Sequence, residues 1–162
     1  MRLTLFLANV ACFASFGWGM LRHFGRGGKP RAGMMAAAAM GPVFAGIHLA
    51  AIATRPLARP GMALVLSVGG AGLFWWAVRA TRGCGLGACF QGIVPAVVVR
   101  AGPYRWMRHP FYTSYMLVWV AGWVATGWGL LGGIAGIMAC VYGAAARGER
   151  EQVRNVRNLP HE

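Results

Sequence analysis

Five long apolar stretches constrain the fold of this chain more than any other feature of its sequence. Each contains no Lys, Arg, Asp or Glu, and they cover residues 3–21, 33–54, 61–78, 110–126 and 129–146. An α-helix rises about 1.5 Å per residue, so helices of about 20 residues cross a hydrocarbon core roughly 30 Å thick. Within lipid, a helix satisfies all its backbone hydrogen bonds internally. The sequence therefore predicts an all-α integral membrane bundle with about five transmembrane helices, the last two forming a helical hairpin.

The composition supports a single membrane domain over residues 1–162. Hydrophobic residues make up 57% of the chain and charged residues 12%, whereas about a quarter of the residues in a soluble domain are charged. The formal net charge of +13 raises the question of nucleic-acid binding. However, the sixteen Lys and Arg residues lie in short segments between the apolar stretches, which is typical of membrane proteins. We therefore expect membrane lipid, and no nucleic acid, as a partner.

The basic residues of the connecting segments predict the orientation. Four lie in residues 22–31, five in 79–109 and four in 147–162, against one before the first apolar stretch and two in 54–60. Because cytoplasmic segments carry the excess of Lys and Arg, we expect loop 79–109 and tail 147–162 in the cytoplasm of a bacterial inner-membrane protein, with the N-terminus outside. A secretory signal peptide is the alternative for residues 3–21, but this stretch is long for one and runs into a basic segment.

Residues 102–115 border the fourth apolar stretch and read GPYRWMRHPFYTSY. Pro110 suits the first turn of a helix, where its missing N–H is not needed. The start of a helix attracts anions, and Arg105 and Arg108 lie just before it. Aromatic rings on both sides of Pro110 offer faces that attract a cation. A ligand with both a carboxylate and a positive centre suits this corner, and S-adenosylmethionine is such a ligand.

The pattern Gly-Pro-Tyr-x-x-x-Arg-His-Pro-x-Tyr, from Gly102 to Tyr112, resembles the signature of the isoprenylcysteine carboxyl methyltransferase and phospholipid methyltransferase superfamily of small integral membrane enzymes. The match covers residues 100 to about 119. The resemblance implies an S-adenosylmethionine-dependent methyltransferase that acts at the cytoplasmic membrane face on a lipophilic or small-thiol acceptor. It implies catalytic roles for Arg108, His109 and Tyr112. It also implies the following cofactor contacts: Tyr104, Arg105, His109, Pro110, Tyr112 and Ser114.

The superfamily carries two adjacent glutamates after its last helix, and this pair is associated with cofactor binding. In this chain the acids are Glu149 and Glu151, which a continuing helix points about 200° apart, so only one of them faces a pocket. Glu149 shares a helix face with Tyr142 and Ala145 and is the preferred candidate for a ribose or amino contact. The tail stops within a dozen residues of Glu151, and we expect this shortness to remove a lid over the cofactor.

Two further features lie at membrane depth. His48 is an intramembrane histidine, which makes it a candidate for function, but its expected role is a hydrogen bond to a neighbouring helix. A haem site would require a second histidine at a matched depth. Tyr112, Tyr115, Trp119 and Trp123 follow helical spacing and form one stripe. We expect Tyr112 to serve the site and both tryptophans to serve packing.

Other functions are less well supported by the sequence. Gly83–Gly87 lacks the preceding strand of a dinucleotide loop, and Cys84 and Cys89 lack further ligands for zinc, so no metal site is expected. We find no convincing arginine–asparagine–glutamate helix motif of a small membrane glutathione transferase. The main alternative is a non-catalytic membrane interaction or sensor protein with a degenerate cofactor pocket. The glutamate spacing and the short tail favour it, whereas the intact pattern from Gly102 to Tyr112 opposes it.

Overall fold

The computed structural model describes residues 1–23, 32–82 and 99–157. These residues form five α-helices and no strand, which confirms the predicted all-α fold for this part of the chain. The helices are α1 (Arg2–Trp18), α2 (Ala32–Thr54), α3 (Pro60–Ala80), α4 (Pro110–Thr126) and α5 (Gly129–Arg157). A π-helical turn, Gly19–His23, continues α1, and a 3-10 helix, Gly102–Arg105, precedes α4.

Three helical stretches are long and apolar enough to cross a membrane. They are Arg2–Arg22, Pro60–Ala80 and Gly129–Glu151. A shorter apolar helical stretch covers Ala39–Thr54, and α4 has 17 residues. All five predicted apolar stretches are helical, and the described residues therefore form a helical bundle of the membrane type. Residues 83–98 of the predicted cytoplasmic loop lie outside the described residues.

Helices α4 and α5 form the predicted hairpin. Gly127 follows α4 with a left-handed φ of 65°, which glycine adopts without steric cost. Its N–H donates to the carbonyl oxygen of Trp123 at 2.7 Å. The N–H of Ala58 donates to the carbonyl oxygen of Ala125 at 2.7 Å, so the turn between α2 and α3 is held against the end of α4. Helix α5 continues beyond the predicted transmembrane span to Arg157.

Helix α4 is central to the bundle because it contacts each of the other four helices. It approaches α3 most closely at Gly70, where an added Cβ would lie 2.9 Å from the carbonyl oxygen of Ser114 and 2.9 Å from a methyl carbon of Val118. A larger residue would therefore separate the two helices. The buried core around α4 is rich in aromatic and large aliphatic side chains, among them Phe74, Phe111, Tyr115, Trp119, Leu131, Ile134 and Met138.

Three buried polar side chains meet inside the bundle: Asn9 on α1, His48 on α2 and Ser67 on α3. We call them the buried polar cluster. The Asn9 amide nitrogen donates to the Ser67 hydroxyl at 3.1 Å, and the Asn9 amide oxygen lies 3.0 Å from Nε2 of His48. Because an amide oxygen only accepts hydrogen bonds, Nε2 of His48 carries the proton. The expected hydrogen bond of His48 to a neighbouring helix is confirmed.

The His48 ring fills the space that Gly122 leaves open on α4. A Cβ added to Gly122 would lie 2.6 Å from Nδ1 of His48 and 2.7 Å from its Nε2. The rings of Phe13 and Trp119 contact the same imidazole edge-on, at centroid distances of 5.2 and 5.7 Å. The Nδ1 atom of His48 is buried and has no hydrogen-bond partner among the described residues. The buried polar cluster thus joins α1, α2 and α3, and its imidazole packs directly on α4.

Candidate functional site

A groove opens between the first turns of α4 and the middle turns of α5. Its volume is about 300 Å³, which is at the lower end of the range for small-molecule sites, roughly 300–1,000 Å³. Its walls combine aromatic and polar side chains near the start of α4 with small and apolar residues farther along. The lining residues are His109, Tyr112, Thr113, Met116, Ala139, Tyr142, Gly143 and Ala146.

A carboxylate lies where the groove meets the start of α4. The Tyr112 hydroxyl donates to Oε1 of Glu149 at 2.5 Å, and Nδ1 of His109 lies 3.4 Å from Oε2 of the same carboxylate. Both oxygens of Glu149 therefore have partners on the segment that carries the sequence motif. We call His109, Tyr112 and Glu149 the carboxylate group of the groove.

Local structure explains the position of His109. Pro110 is the first residue of α4, as the sequence predicts, and His109 is the N-cap residue. The His109 side chain makes no capping hydrogen bond to the helix, so its imidazole reaches Glu149 on α5 instead. Its Nε2 atom is shielded from solvent and has no hydrogen-bond partner in the described part of the chain. A buried polar atom without a partner is uncommon in folded proteins.

Stacked rings hold Tyr112 in place. Its ring lies nearly parallel to that of His109, at a centroid distance of 5.4 Å, and to that of Tyr142, at 5.5 Å. The Tyr142 hydroxyl accepts a hydrogen bond from the indole N–H of Trp119 at 3.3 Å. Tyr142 therefore connects the core of the bundle with the carboxylate group, and it is a site residue that the sequence reasoning did not select. Its spacing of seven residues from Glu149, two helical turns, was the available signal.

Electrostatic interactions at this site are moderate in strength because water reaches it. The His109 side chain is 24% exposed and that of Glu149 is 40% exposed, so their electrostatic attraction is weakened by solvent. The second candidate acid, Glu151, is exposed and forms no ion pair within the described residues. Of the two acids, Glu149 is therefore the one that the structure brings to the groove.

The other predicted site residues do not belong to the groove lining. Arg105 and Arg108 are exposed, and Tyr104 is half-buried against the apolar core. Pro110 is buried as the first residue of α4. Ser114 is fully buried, and its hydroxyl donates to the carbonyl oxygen of Phe111 at 2.7 Å.

The four residues of the aromatic stripe on α4 differ in burial. Tyr112, Tyr115 and Trp119 are buried, whereas Trp123 is 47% exposed. Trp119 packs in the core, as expected for a packing residue, and it also supports Tyr142 through its hydrogen bond. Trp123 packs on Gly132 of α5, where an added Cβ would lie 3.1 Å from the indole nitrogen. Only the first residue of the stripe belongs to the groove wall.

The described residues contain no cluster of three or more His, Cys, Asp or Glu side chains able to hold a metal ion. Cys12 is buried and Cys140 is exposed, and both are free thiols. Cys84, Cys89 and the segment Gly83–Gly87, which the sequence analysis considered, lie outside the described residues. The chemical groups at the groove are a carboxylate, an imidazole and aromatic side chains.

Comparisons of the chain with protein-family models, with curated protein sequences and with solved structures gave no match. The resemblance between Gly102 and Tyr112 thus remains a prediction from the motif alone. A proposal about function has to combine that motif with the geometry of the groove.

Proposed function

We propose that this protein is an S-adenosylmethionine-dependent methyltransferase that uses the groove between α4 and α5. The acceptor is a lipophilic molecule or a small thiol. One observation carries the proposal: His109 and Tyr112, which belong to the sequence motif, meet Glu149 at the edge of a groove, although Glu149 lies 37 residues beyond Tyr112. The same resemblance implies a cofactor role for the motif and for the acidic residue after the last helix, and the two are far apart in sequence but in contact in the fold.

The side chains present suit the polar and charged parts of such a cofactor. The Glu149 carboxylate accepts hydrogen bonds from an ammonium group or from ribose hydroxyls. The rings of Tyr112 and Tyr142 supply aromatic character at the groove wall, and the face of such a ring attracts a nearby cation. S-adenosylmethionine, when bound, supplies an electrophilic methyl group on a sulfonium.

The protein's part in such a reaction is chiefly alignment. Direct transfer of a methyl group requires no metal and no covalent intermediate on the protein, and orientation of the reactants supplies several kcal/mol of the barrier. Met116, Ala139 and Gly143 form an apolar part of the groove wall. An apolar wall between two membrane helices suits an acceptor that enters from the bilayer.

The proposed function includes a membrane arrangement in which all five helices span a bacterial inner membrane with the N-terminus outside. The helix ends near His109 and Glu149 then face the cytoplasm, where S-adenosylmethionine is made. The support is the excess of Lys and Arg in residues 22–31, 79–109 and 147–162.

Equilibrium binding to the detergent-solubilised full chain tests the cofactor directly. We expect S-adenosylhomocysteine to give saturable heat in titration calorimetry with the natural sequence. Glu149→Gln is expected to weaken binding about tenfold or more, because a hydrogen bond to a charged group contributes about 1.5–3 kcal/mol. Glu151→Gln is the matched control and is expected to bind like the natural sequence. Absence of heat above detergent blanks would contradict the proposal.

A non-catalytic interaction or sensor protein is the second candidate. It is favoured by one observation: Tyr112 and His109 already occupy both oxygens of Glu149, so the carboxylate is satisfied without a ligand. Incubation of membranes with methyl-labelled S-adenosylmethionine separates the two candidates. Label in a lipid or thiol fraction, lost with Tyr112→Ala, supports the enzyme. Binding without any transferred label supports the sensor.

A further inference from the structure

Four arginines lie at one corner of the bundle, beside the groove but outside its lining. Arg79 is in the last turn of α3 and Arg82 follows that helix. Arg105 is the last residue of the 3-10 helix, and Arg108 lies between the 3-10 helix and α4. All four are exposed. We call them the arginine corner. None of the four lines the groove, although Arg105 and Arg108 lie within the sequence motif.

Packing of the 3-10 helix on the end of α3 creates the corner. Gly102 has a left-handed φ of 57°, and an added Cβ would lie 2.8 Å from Cβ of Ala80 and 3.1 Å from the indole nitrogen of Trp76. Pro103, the next residue, is buried. This contact fixes the segment that carries Arg105 against the helix end that carries Arg79. Two arginine pairs that are distant in sequence therefore share one corner.

No protein group within the described residues neutralises these four guanidinium groups. The ion pair of the described residues joins His109 to Glu149, and none of the four arginines takes part in a hydrogen bond there. Among the described residues, the Glu149 carboxylate is engaged by Tyr112 and His109, and Glu151 on α5 forms no ion pair. The corner thus presents positive charge that no carboxylate in the described part of the chain balances.

The opposite end of the bundle uses its arginines differently. Arg2 donates to the carbonyl oxygens of Ala53 and Arg55 at 3.1 and 3.0 Å. The guanidinium of Arg55 lies 3.6 Å above the ring of Trp128. These side chains serve the fold by joining α1, the end of α2 and the start of α5. Arg2 and Arg55 thus have structural contacts of a kind that the four arginines of the corner lack within the described residues.

We propose that the arginine corner binds the phosphate of an anionic phospholipid from the surrounding bilayer. A guanidinium binds phosphate through two parallel hydrogen bonds, and basic groups at helix ends attract anionic lipid headgroups. Trp76 is 48% exposed and Trp106 is 84% exposed, and both flank the corner. Indole rings favour the level of the headgroups, which places the guanidinium groups beside lipid phosphates. The proposal does not depend on methyl transfer.

Native mass spectrometry of the full chain released from lipid nanodiscs tests this site. With mixed phosphatidylglycerol and phosphatidylcholine, we expect the natural sequence to retain phosphatidylglycerol preferentially. Arg105→Gln combined with Arg108→Gln should lower retention at least fivefold. The matched control is Arg147→Gln combined with Arg150→Gln, which removes the same charge from the same end of the bundle and should change retention less than twofold. Equal loss in both variants, or loss in neither, would overturn the proposal.

Further experiments identify the ligand and control for misfolded variants. Millimolar inorganic phosphate should not displace phosphatidylglycerol; displacement would show that a free anion is the ligand and contradict the proposal. Loss of S-adenosylhomocysteine affinity with unchanged lipid retention would assign these arginines to the cofactor instead. If Arg105→Gln with Arg108→Gln does not fold, Arg79→Gln with Arg82→Gln tests the same corner from α3, with the same expected loss. Unfolding temperatures of all variants report whether each comparison is between folded proteins.

Discussion

His48 and His109 are used in opposite ways at two depths of one bundle. His48 is fully buried, binds the amide of Asn9 and packs on Gly122. His109 is about a quarter exposed, lies beside the carboxylate of Glu149 and lines a groove. The first side chain is sealed by protein on all sides, whereas the second has space for a ligand beside it.

The difference follows from what each environment tolerates. In a membrane interior, a charged side chain is costly and a polar one needs a partner. His48 accordingly has a neutral partner, and Asn9 is in turn satisfied by Ser67. At the helix ends, water reaches the side chains, and Glu149 and His109 are both partly exposed. The deep histidine therefore stabilises helix packing, and the shallow one belongs to the candidate site.

The two regions are connected through the aromatic residues of α4 and α5. The edge of Trp119 contacts the His48 ring at 5.7 Å, and its indole N–H donates to Tyr142. The Tyr142 ring stacks on Tyr112 of the carboxylate group. Changes in the deep region should therefore alter stability strongly and ligand binding weakly. Two substitutions separate these effects.

The larger effect is expected from Gly122→Ala. The added methyl group would overlap the His48 ring, which cannot move freely because Asn9, Phe13 and Trp119 contact it. Overfilling a packed core costs about 1–3 kcal/mol. We expect the free energy of unfolding to fall by that amount in reversible unfolding by denaturing detergent, followed by tryptophan fluorescence.

Gly136→Ala is the matched control for this substitution. Gly136 lies on the exposed face of α5, and nothing lies within 4 Å of an added Cβ. Because alanine is also the better helix former, we expect a change within about 0.5 kcal/mol. Equal destabilisation by both substitutions would contradict the packing role assigned to His48.

A smaller effect is expected from Trp119→Phe, which keeps an aromatic ring but removes the indole donor to Tyr142. Hydrogen bonds between membrane helices contribute about 0.6 kcal/mol on average. We expect S-adenosylhomocysteine affinity to fall about two- to threefold, which corresponds to about 0.4–0.7 kcal/mol. Trp123→Phe, on the exposed side of α4, should leave affinity unchanged. A loss shared by both variants would show that Tyr142 does not need its hydrogen bond.

Much of the fold is predictable because each membrane helix can be recognised from its own apolar stretch, without knowledge of the rest of the chain. Each apolar stretch contains enough information to predict its own helix, and Gly127 separates the last two. Pro110 fixes the start of α4 for a local reason, since its ring suits the first turn. The choice of Glu149 over Glu151 was possible because residues two positions apart on a helix point in nearly opposite directions.

The remaining features depend on which helix faces meet, and that is not local. Asn9 and His48 are 39 residues apart, and no pattern within either stretch indicates that α1 and α2 pair there. Ser114 was expected to contact the cofactor, yet it is about 200° from Tyr112 around α4 and its backbone packs on Gly70 of α3. The direction of Arg108 likewise depends on how the 3-10 helix packs on α3.

Histidine-selective NMR of the nitrogen-labelled full chain in micelles tests the central claim most directly, with His48→Gln and His109→Gln used to assign the signals. On addition of S-adenosylhomocysteine, we expect the ring nitrogens of His109 to shift saturably while those of His48 remain in place. An unchanged His109 signal at saturating ligand, or a shift confined to His48, would contradict a cofactor site between α4 and α5.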